Sequence, residues 1–264
     1  MTAPRLVATD LDGTVIRSDG TISDRTRAML AAVEDAGAVL VFVTGRPPRW
    51  MTAIVDATGH HGVAICANGA LVYDLHTSTA VRHSLLSAST LAEIVEALRR
   101  DLPGIAFAVE RHDTGFAHEP AYKPRWDAMD KSRSIRPVEE MLTDGVVKLL
   151  ARHDGMDPDE VLATAHRSLR GIATLTHSTS DGLLEISASG VSKASALAEL
   201  AAEHGIAAAE VVAFGDMPND VPMLTWAGLG VAVANAHPEV LAVADEVTAS
   251  NDDDGVAEYL SRWF

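Results

Sequence analysis

The stretch LVATDLDGT, residues 6–14, decides the fold, because an apolar run ends there in two aspartates one residue apart. The apolar residues of Leu6–Thr9 predict a buried strand. One interpretation of the two aspartates and Gly13 is an Asp-Gly turn, since both residue types are ordinary turn formers. The other is a functional site, because neighbouring carboxylates raise each other's pKa and need something to neutralise them. The rest of the chain has to decide between these interpretations.

Four more runs of apolar residues predict strands, at 39–44, 62–67, 211–214 and 229–234. Their apolar residues are continuous rather than alternating, which indicates strands covered on both faces, as in a parallel sheet flanked by helices. Helices are predicted at 23–36, with Ser23 or Asp24 as the N-cap and Gly37 as the stop, and at Lys193–Glu203, which Gly205 ends. The sequence therefore predicts an α/β fold with a parallel sheet.

The middle of the chain, residues 84–187, is richer in charged residues, histidines and aromatics. It contains two helical patterns, at 91–99 and 158–167, and four strand patterns, at 105–110, 146–151, 173–177 and 183–187. We predict an inserted α+β domain at 84–187 within a core formed by 1–83 and 188–264. The acidic stretch 251–254 is interpreted as a solvated turn.

Composition limits the classes of partner and the setting. The formal net charge of −16 argues against a nucleic-acid or anionic-membrane partner. The single cysteine, Cys66, excludes an internal disulfide and a thiolate metal cluster, and its apolar neighbours predict a core residue. No apolar run is long enough to span a bilayer, and no secretory signal pattern is present at the N-terminus. We therefore expect a reduced, cytoplasmic setting.

Four of the predicted core strands end in polar or small residues or are directly followed by them. These residues are Asp10, the run Thr44-Gly45-Arg46, the pair Asn68-Gly69 and the pair Gly215-Asp216. Ligands of open parallel sheets bind beyond the carboxyl ends of the strands. The shared position therefore predicts one site at this edge, although Asn68 is also a good residue for an ordinary turn.

The segment VVAFGDMPND, 211–220, adds Asp216, Asn219 and Asp220. Pro218 and Asn219 are also typical of a helix start, where Asp220 suits the helix dipole, and capping is compatible with a role in a site. Together with Asp10 and Asp12 this edge would hold four carboxylates, which need protons or a hard cation. Oxygen ligands without His or Cys favour Mg²⁺ over zinc.

Other residues at this edge suit a phosphate group. Thr44 offers a hydroxyl and a backbone N–H, and Gly45 allows close approach of the main chain. Lys193 begins a predicted helix, where the dipole disfavours a cation. An exposed lysine is one interpretation of Lys193, and the other is a cation that balances a phosphoryl group and Asp10.

Four ordered motifs resemble the haloacid dehalogenase superfamily of phosphohydrolases. They are DLDGT at 10–14, VTGR at 43–46, Lys193, and GDMPNDVPML at 215–224. ANGA at 67–70 and NDDDGVAEYL at 251–260 resemble its Cof-type branch, which carries an α/β cap of the C2 type between the second and third motifs. The resemblance covers nearly all of the core, and the cap matches only in position and length. It implies a Rossmann-like core with an inserted cap that selects the substrate.

The resemblance also implies roles. Asp10 would attack phosphorus and become an aspartyl phosphate, and Asp12 would act as general acid and base. The candidate Mg²⁺ ligands are Asp10, Asp12 through its main-chain carbonyl, Asp216 and Asp220, of which Asp220 is also expected to orient Lys193 or a metal-bound water. The candidate groups for binding or balancing the phosphoryl group are Thr44, Gly45, Asn219 and Lys193. Arg46 is left with two roles, contact with substrate or pairing with an acid of the cap.

The implied function is a Mg²⁺-dependent phosphatase acting on a small phosphorylated metabolite, either a sugar phosphate or a cofactor phosphate such as FMN or PLP. A phosphotransferase or mutase using the same aspartyl phosphate is an alternative, as is a receiver-like phospho-accepting signalling domain. In the cap, the notable side chains are His112, His118, Tyr122, Lys123, Arg125 and Trp126. One interpretation is that they contact the substrate. The other is that Trp126 packs within the cap and the cations are solvated.

Overall fold

The computed structural model describes residues 2–113, 115–124, 133–176 and 182–264. The strands, numbered in chain order, are β1 Leu6–Thr9, β2 Val39–Val43, β3 Val63–Cys66, β4 Leu71–Asp74, β5 Thr79–His83, β6 Ala106–Arg111, β7 Phe116–His118, β8 Ser134–Ile135, β9 Val146–Arg152, β10 Ala173–Thr176, β11 Leu184–Ala188, β12 Val211–Gly215, β13 Leu229–Ala232 and β14 Glu246–Val247. The α-helices are α1 Asp24–Asp35, α2 Met51–Thr58, α3 Ala88–Asp101, α4 Pro158–Ser168, α5 Lys193–Glu203, α6 Val221–Trp226, α7 Pro238–Leu241 and α8 Gly255–Leu260.

The chain divides into two compact units. The first combines Met1–Arg82 with Ser192–Phe264, and the second is His83–Val191. The predicted boundaries, at 83/84 and 187/188, lie one and four residues from these divisions. The second division falls later because β11, which ends at Ala188, pairs with β9 and β10 of the second unit.

The first unit contains a sheet with the strand order β14-β13-β12-β1-β2-β3-β4-β5. The neighbours from β14 to β3 are parallel, and β4 returns antiparallel to β3. The strand β1 is fully buried between β12 and β2, which explains its uninterrupted apolar sequence. The predicted α/β fold with a parallel sheet is confirmed, and the carboxyl ends of β1, β2, β3 and β12 share one edge.

The two predicted core helices are also present. Ser23 caps α1 by accepting a hydrogen bond from the N–H of Thr26, and Gly37 follows the helix with a φ of 82°. The helix α5 starts at Lys193 behind a capping box formed by Ser192 and Ser195. The hairpin of β4 and β5 was not predicted, because β5 is largely exposed and has no apolar run to mark it.

The second unit contains a sheet with the strand order β10-β11-β9-β6-β7-β8, which is antiparallel except between β7 and β8. The helices α3 and α4 contribute to a hydrophobic core with this sheet, through residues such as Leu91, Ile94 and Val161. The predicted α+β character is confirmed. The predicted strand 173–177 ends at Thr176, and residue 177 lies outside the described residues.

Cys66 is buried at the end of β3, as predicted for a core cysteine. Among the described residues, no helix has the length and apolar character that crossing a bilayer requires.

Candidate active site

The paired strands β1 and β12 bring Asp10 and Asp216 together. The N–H of Asp10 donates to the carbonyl of Phe214 at 3.0 Å, which continues the pairing beyond the end of β1. Gly13 then turns the chain with a φ of +79°, and a Cβ atom built there would lie 2.3 Å from Oδ2 of Asp216. Only glycine both adopts this conformation readily and leaves room for the carboxylate. Thr14 Oγ1 donates to Asp216 Oδ1 at 3.0 Å, so the loop after β1 fixes this side chain.

Lys193 lies at the centre of the carboxylates. Its side chain is only 1% exposed, and Nζ lies 2.6 Å from Oδ1 of Asp10 and 2.6 Å from Oδ1 of Asp220. Burial lowers the pKa of Lys193, but the two carboxylates outweigh it and leave the pKa above its ordinary value. The lysine is therefore a buried cation, and the alternative of an exposed lysine is wrong.

Asp220 is held from both sides. Its Oδ2 accepts hydrogen bonds from the backbone N–H groups of Asp216, at 3.1 Å, and Met217, at 3.0 Å. Its Oδ1 accepts from Lys193 at 2.6 Å. Since both oxygens have protein donors, the geometry favours the predicted role of orienting Lys193.

The negative charge of the clustered carboxylates exceeds the positive charge of the lysine beside them. Ligand oxygens of Asp10, Asp216 and Asp220 all lie within 4.8 Å of one another, and Lys193 is the cation that pairs with two of these carboxylates. Burial raises the pKa of Asp10 well above its ordinary value, against the opposing effect of Lys193. Burial and then the charge of Asp220 raise the pKa of Asp216 to about 7. An oxygen-only donor set with uncompensated negative charge fits Mg²⁺.

Thr44 differs from one expectation. Its backbone N–H donates to the carbonyl of Ile65 at 2.8 Å, within the pairing of β2 and β3. The prediction that this N–H is offered to a phosphate is wrong for this structure, because the strand pairing uses it. Thr44 Oγ1 accepts from the N–H of Arg46 at 3.1 Å, which shapes the turn that contains Gly45.

Arg46 contacts the second aspartate of the opening motif. Its Nε donates to Asp12 Oδ2 at 2.7 Å and its Nη2 donates to Asp12 Oδ1 at 2.5 Å. The acid it meets belongs to the first unit. The pairing found is therefore not the expected one with an acid of the inserted domain.

Asn219 and Asn68 meet at the same edge. Asn219 Nδ2 donates to Asn68 Oδ1 at 3.1 Å, and Asn68 occupies a left-handed turn with a φ of 58°, as its turn interpretation predicts. Among the described residues, no hydrogen-bond partner is found for the buried Oδ1 of Asn219. This oxygen is an acceptor that a bound molecule or water can satisfy.

Three residues that were not predicted as part of the site hold the loop after β1. Asn235 Nδ2 donates to the carbonyl of Gly13 at 2.8 Å, and Asn251 Nδ2 donates to the carbonyl of Ile16 at 2.9 Å. Asp254 accepts from Arg17 Nη2 at 2.8 Å. The interpretation of 251–254 as a merely solvated turn is therefore wrong. The family resemblance of NDDDGVAEYL was the available signal, but the sequence did not show which segment this turn contacts.

The notable residues of the inserted domain have varied environments. His118 and Tyr122 are buried, and burial raises the pKa of Tyr122 to about 12. His112 Nδ1 contacts the carbonyl of Gly145 at 3.1 Å, and Lys123 pairs with Asp154. Arg125 and Trp126 lie outside the described residues. The prediction that these side chains contact a substrate stays a prediction.

The first unit combines a largely parallel α/β sheet with buried carboxylates and a lysine at the carboxyl ends of its strands. Residues 7–260 match the family of haloacid dehalogenase-like hydrolases, and the chain belongs to that family. The resemblance drawn from the four motifs is thereby confirmed. The chain is a hydrolase of this family, which gives no support to the alternative of a signalling receiver domain.

Named relatives cover the whole chain. It is 28% identical over 271 residues to the 5-amino-6-(5-phospho-D-ribitylamino)uracil phosphatase YitU of Bacillus subtilis, across 100% of this chain and 98% of that protein. It is 26% identical over 272 residues to the pyridoxal phosphate phosphatase YbhA of Escherichia coli, across 97% of each. Among solved structures, a haloalkanoate (HAD) superfamily phosphatase of Bacteroides thetaiotaomicron aligns with a TM-score of 0.83 and 26% identity, over 98% of this chain and 95% of that one.

Proposed function

We propose that this protein is a Mg²⁺-dependent phosphatase that hydrolyses a small phosphomonoester through a phosphorylated Asp10. The observation that carries the proposal is the buried arrangement of Asp10, Lys193 and Asp220, in which Nζ lies 2.6 Å from both carboxylates. A buried carboxylate beside a fixed cation is suited to attack a phosphoryl group. The cation offsets the negative charge of the carboxylate and of the phosphoryl group.

The reaction has two steps in this proposal. An oxygen of Asp10 attacks phosphorus, the bond from phosphorus to the ester oxygen breaks, and Asp12 gives that oxygen a proton. Water then attacks the phosphorylated Asp10, Asp12 takes a proton from the water, and the electron pair of the broken bond returns to the Asp10 carboxylate. Lys193 balances charge throughout, and Asp220 orients it.

Asp10, Asp216 and the main-chain carbonyl of Asp12 would hold Mg²⁺, which supplies further neutralisation of the phosphoryl charge when bound. Thr44 Oγ1 and Gly45 are the proposed contacts to the phosphoryl oxygens, and Asn219 Oδ1, an acceptor, would bind a water beside them. The unpartnered acceptor of Asn219 supports this assignment among the described residues.

The substrate class is proposed from the relatives. One relative is named for a phosphorylated ribitylaminouracil and another for pyridoxal phosphate, so a cofactor phosphate or a related sugar phosphate is the class to test. We assign the selection of the leaving group to the inserted α+β unit, His83–Val191. Water is the proposed acceptor.

The test measures phosphate release from a panel of phosphomonoesters, with Mg²⁺ or EDTA. Asp10→Asn keeps the size of the side chain but removes the nucleophile, and we expect it to abolish release from every ester. Asp253→Asn, at an exposed turn position, is the matched control and should keep full activity. Full turnover by Asp10→Asn would contradict the proposal, and transfer to added alcohols in preference to water would assign a phosphotransferase.

A further inference from the structure

The guanidinium of Arg46 donates two hydrogen bonds to the carboxylate of Asp12. Nε and Nη2 donate to the two different oxygens, at 2.7 and 2.5 Å. Such a fork fixes the plane of the carboxylate as well as its position, which a single point charge does not do. The side chain of Asp12 is 55% exposed, so without this contact it would be free to rotate in solvent.

The backbone of Arg46 is itself fixed. Its N–H donates to Thr44 Oγ1 at 3.1 Å, and its carbonyl accepts from the N–H of Ala67 at 3.0 Å. Pro47 comes directly after it and restricts the chain further. The guanidinium lies 6.0 Å from the ring centroid of Trp50. Arg46 is therefore a preorganised support on a rigid turn.

We propose that Arg46 is a positioning residue that holds Asp12 for the hydrolysis of the phosphorylated Asp10. The proposal rests on the proposed function. In that step the water oxygen bonds to phosphorus, Asp12 takes one proton of the water, and the bond between phosphorus and Asp10 breaks with its electrons returning to Asp10. The carboxylate oxygens offer about four lone-pair sites, so two contacts from Arg46 leave acceptors for the water proton.

Binding of the phosphoryl group by Arg46 is the competing role, and kinetics separates the two. For a substrate that phosphorylates Asp10, kcat/KM reports the first step, whereas kcat also contains the hydrolysis of the intermediate. Loss of a phosphate contact lowers kcat/KM. Loss of support for Asp12 in the second step lowers kcat and KM together and leaves kcat/KM unchanged when the leaving group needs no proton.

The experiment uses p-nitrophenyl phosphate, whose leaving group departs without protonation. We expect Arg46→Gln to lower kcat about 10- to 100-fold, the size typical of a misplaced acid–base group, with kcat/KM within about threefold of the wild type. Radiolabelled phosphoenzyme, chased with unlabelled substrate, should decay more slowly by the same factor as kcat. Arg46→Lys keeps the charge without the fork and should recover only part of the decay rate.

The matched control is Arg5→Gln, which removes another arginine–carboxylate pair, with Glu210, at the opposite end of β1. It should leave kcat, kcat/KM and phosphoenzyme decay unchanged. A fall in kcat/KM of Arg46→Gln without slower phosphoenzyme decay would assign Arg46 to phosphate binding and overturn the proposal, as would unchanged decay. Turnover by Asp10→Asn is the separate result that would overturn the proposed function itself.

Discussion

Lys193 shows how a single residue makes the buried carboxylates tolerable. A buried lysine is costly unless it is paired, and removing one partner of a buried pair typically costs about 3–5 kcal/mol. In this protein the carboxylates of Asp10 and Asp220 contact Nζ and stabilise its positive charge. The position of Lys193 at the start of α5 has the opposite effect, because the helix dipole disfavours a cation there. With Asp10, Asp216 and Asp220 ionised, three negative charges face one positive charge, and the proposed divalent cation would balance the remaining two.

Gly13 gives the first prediction at the scale of the residue. Gly13→Ala places a Cβ atom 2.3 Å from Asp216 Oδ2, so the carboxylate or the loop has to move. We expect activity to fall at least about 100-fold, the scale typical of small displacements of reacting groups. The backbone conformation adds a loss of about 1–2 kcal/mol in the free energy of unfolding. Both quantities are measurable, by steady-state kinetics and by urea unfolding.

Gly20→Ala is the control for backbone strain. Gly20 has a φ of +83°, close to that of Gly13, but an added Cβ atom would meet nothing within 4 Å. We expect a similar loss in the free energy of unfolding and normal activity. Equal activity losses in the two variants would contradict the idea that contact with Asp216 is what requires glycine at position 13.

At the scale of the element, the turn before α8 supports the loop after β1. Asn251 donates to the carbonyl of Ile16, and its own N–H donates to Asn235 Oδ1 at 2.9 Å. Asn235 in turn donates to the carbonyl of Gly13. Asn235 and Asn251, both more than 220 residues away in sequence, therefore hold the loop that carries Asp12. This chain of hydrogen bonds links the turn before α8 to the candidate site.

Asn251→Ala tests this support. The side chain is buried, so its loss leaves the carbonyl of Ile16 without this donor. We expect the free energy of unfolding, measured in urea, to fall by about 1–3 kcal/mol, the cost of an unsatisfied buried polar group. Asp253→Ala, at an exposed position of the same turn, should change it by no more than about 0.5 kcal/mol. Equal effects in the two variants would contradict a specific role for Asn251.

At the scale of the whole molecule, the site couples stability to pH. Asp216 has a pKa of about 7 in the folded protein against an ordinary value of 3.8, and the pKa of Asp10 is also raised. Between about pH 4 and 7 the folded, metal-free protein binds protons that the unfolded chain has already lost. The free energy of unfolding therefore loses this contribution as pH rises through that window. In the proposed function Mg²⁺ binds the deprotonated carboxylates, so its stabilising effect should grow over the same range.

We therefore expect Mg²⁺ to raise Tm more at pH 8 than at pH 5, relative to EDTA. Thermal unfolding of wild type and Asp216→Asn at both pH values measures this difference. The variant should lose most of the Mg²⁺-induced shift at pH 8, because it lacks the carboxylate that titrates. A Mg²⁺-induced shift of equal size at both pH values would contradict the link between these carboxylates and the metal.

Local sequence was sufficient to predict most of the core strands and helices of this protein. Continuous apolar runs predicted β1 and its parallel neighbours, because strands buried on both faces need apolar residues at every position. A cap residue, Ser23, predicted where α1 begins, because the unpaired N–H groups of a first turn require a nearby acceptor. Polar residues at the strand ends predicted the edge of the sheet where the candidate site lies, since parallel strands end together.

Tertiary structure alone decided which polar groups meet. Arg46 pairs with Asp12 because β1 and β2 are neighbours, and Asn251 reaches Ile16 across 235 residues of sequence. The short exposed strand β5 and the burial of Lys193 were likewise not determined by local pattern. A hydrogen bond between distant residues depends on the path of the backbone between them. Local composition specifies the strands and helices, whereas their packing selects the partners of each charged group.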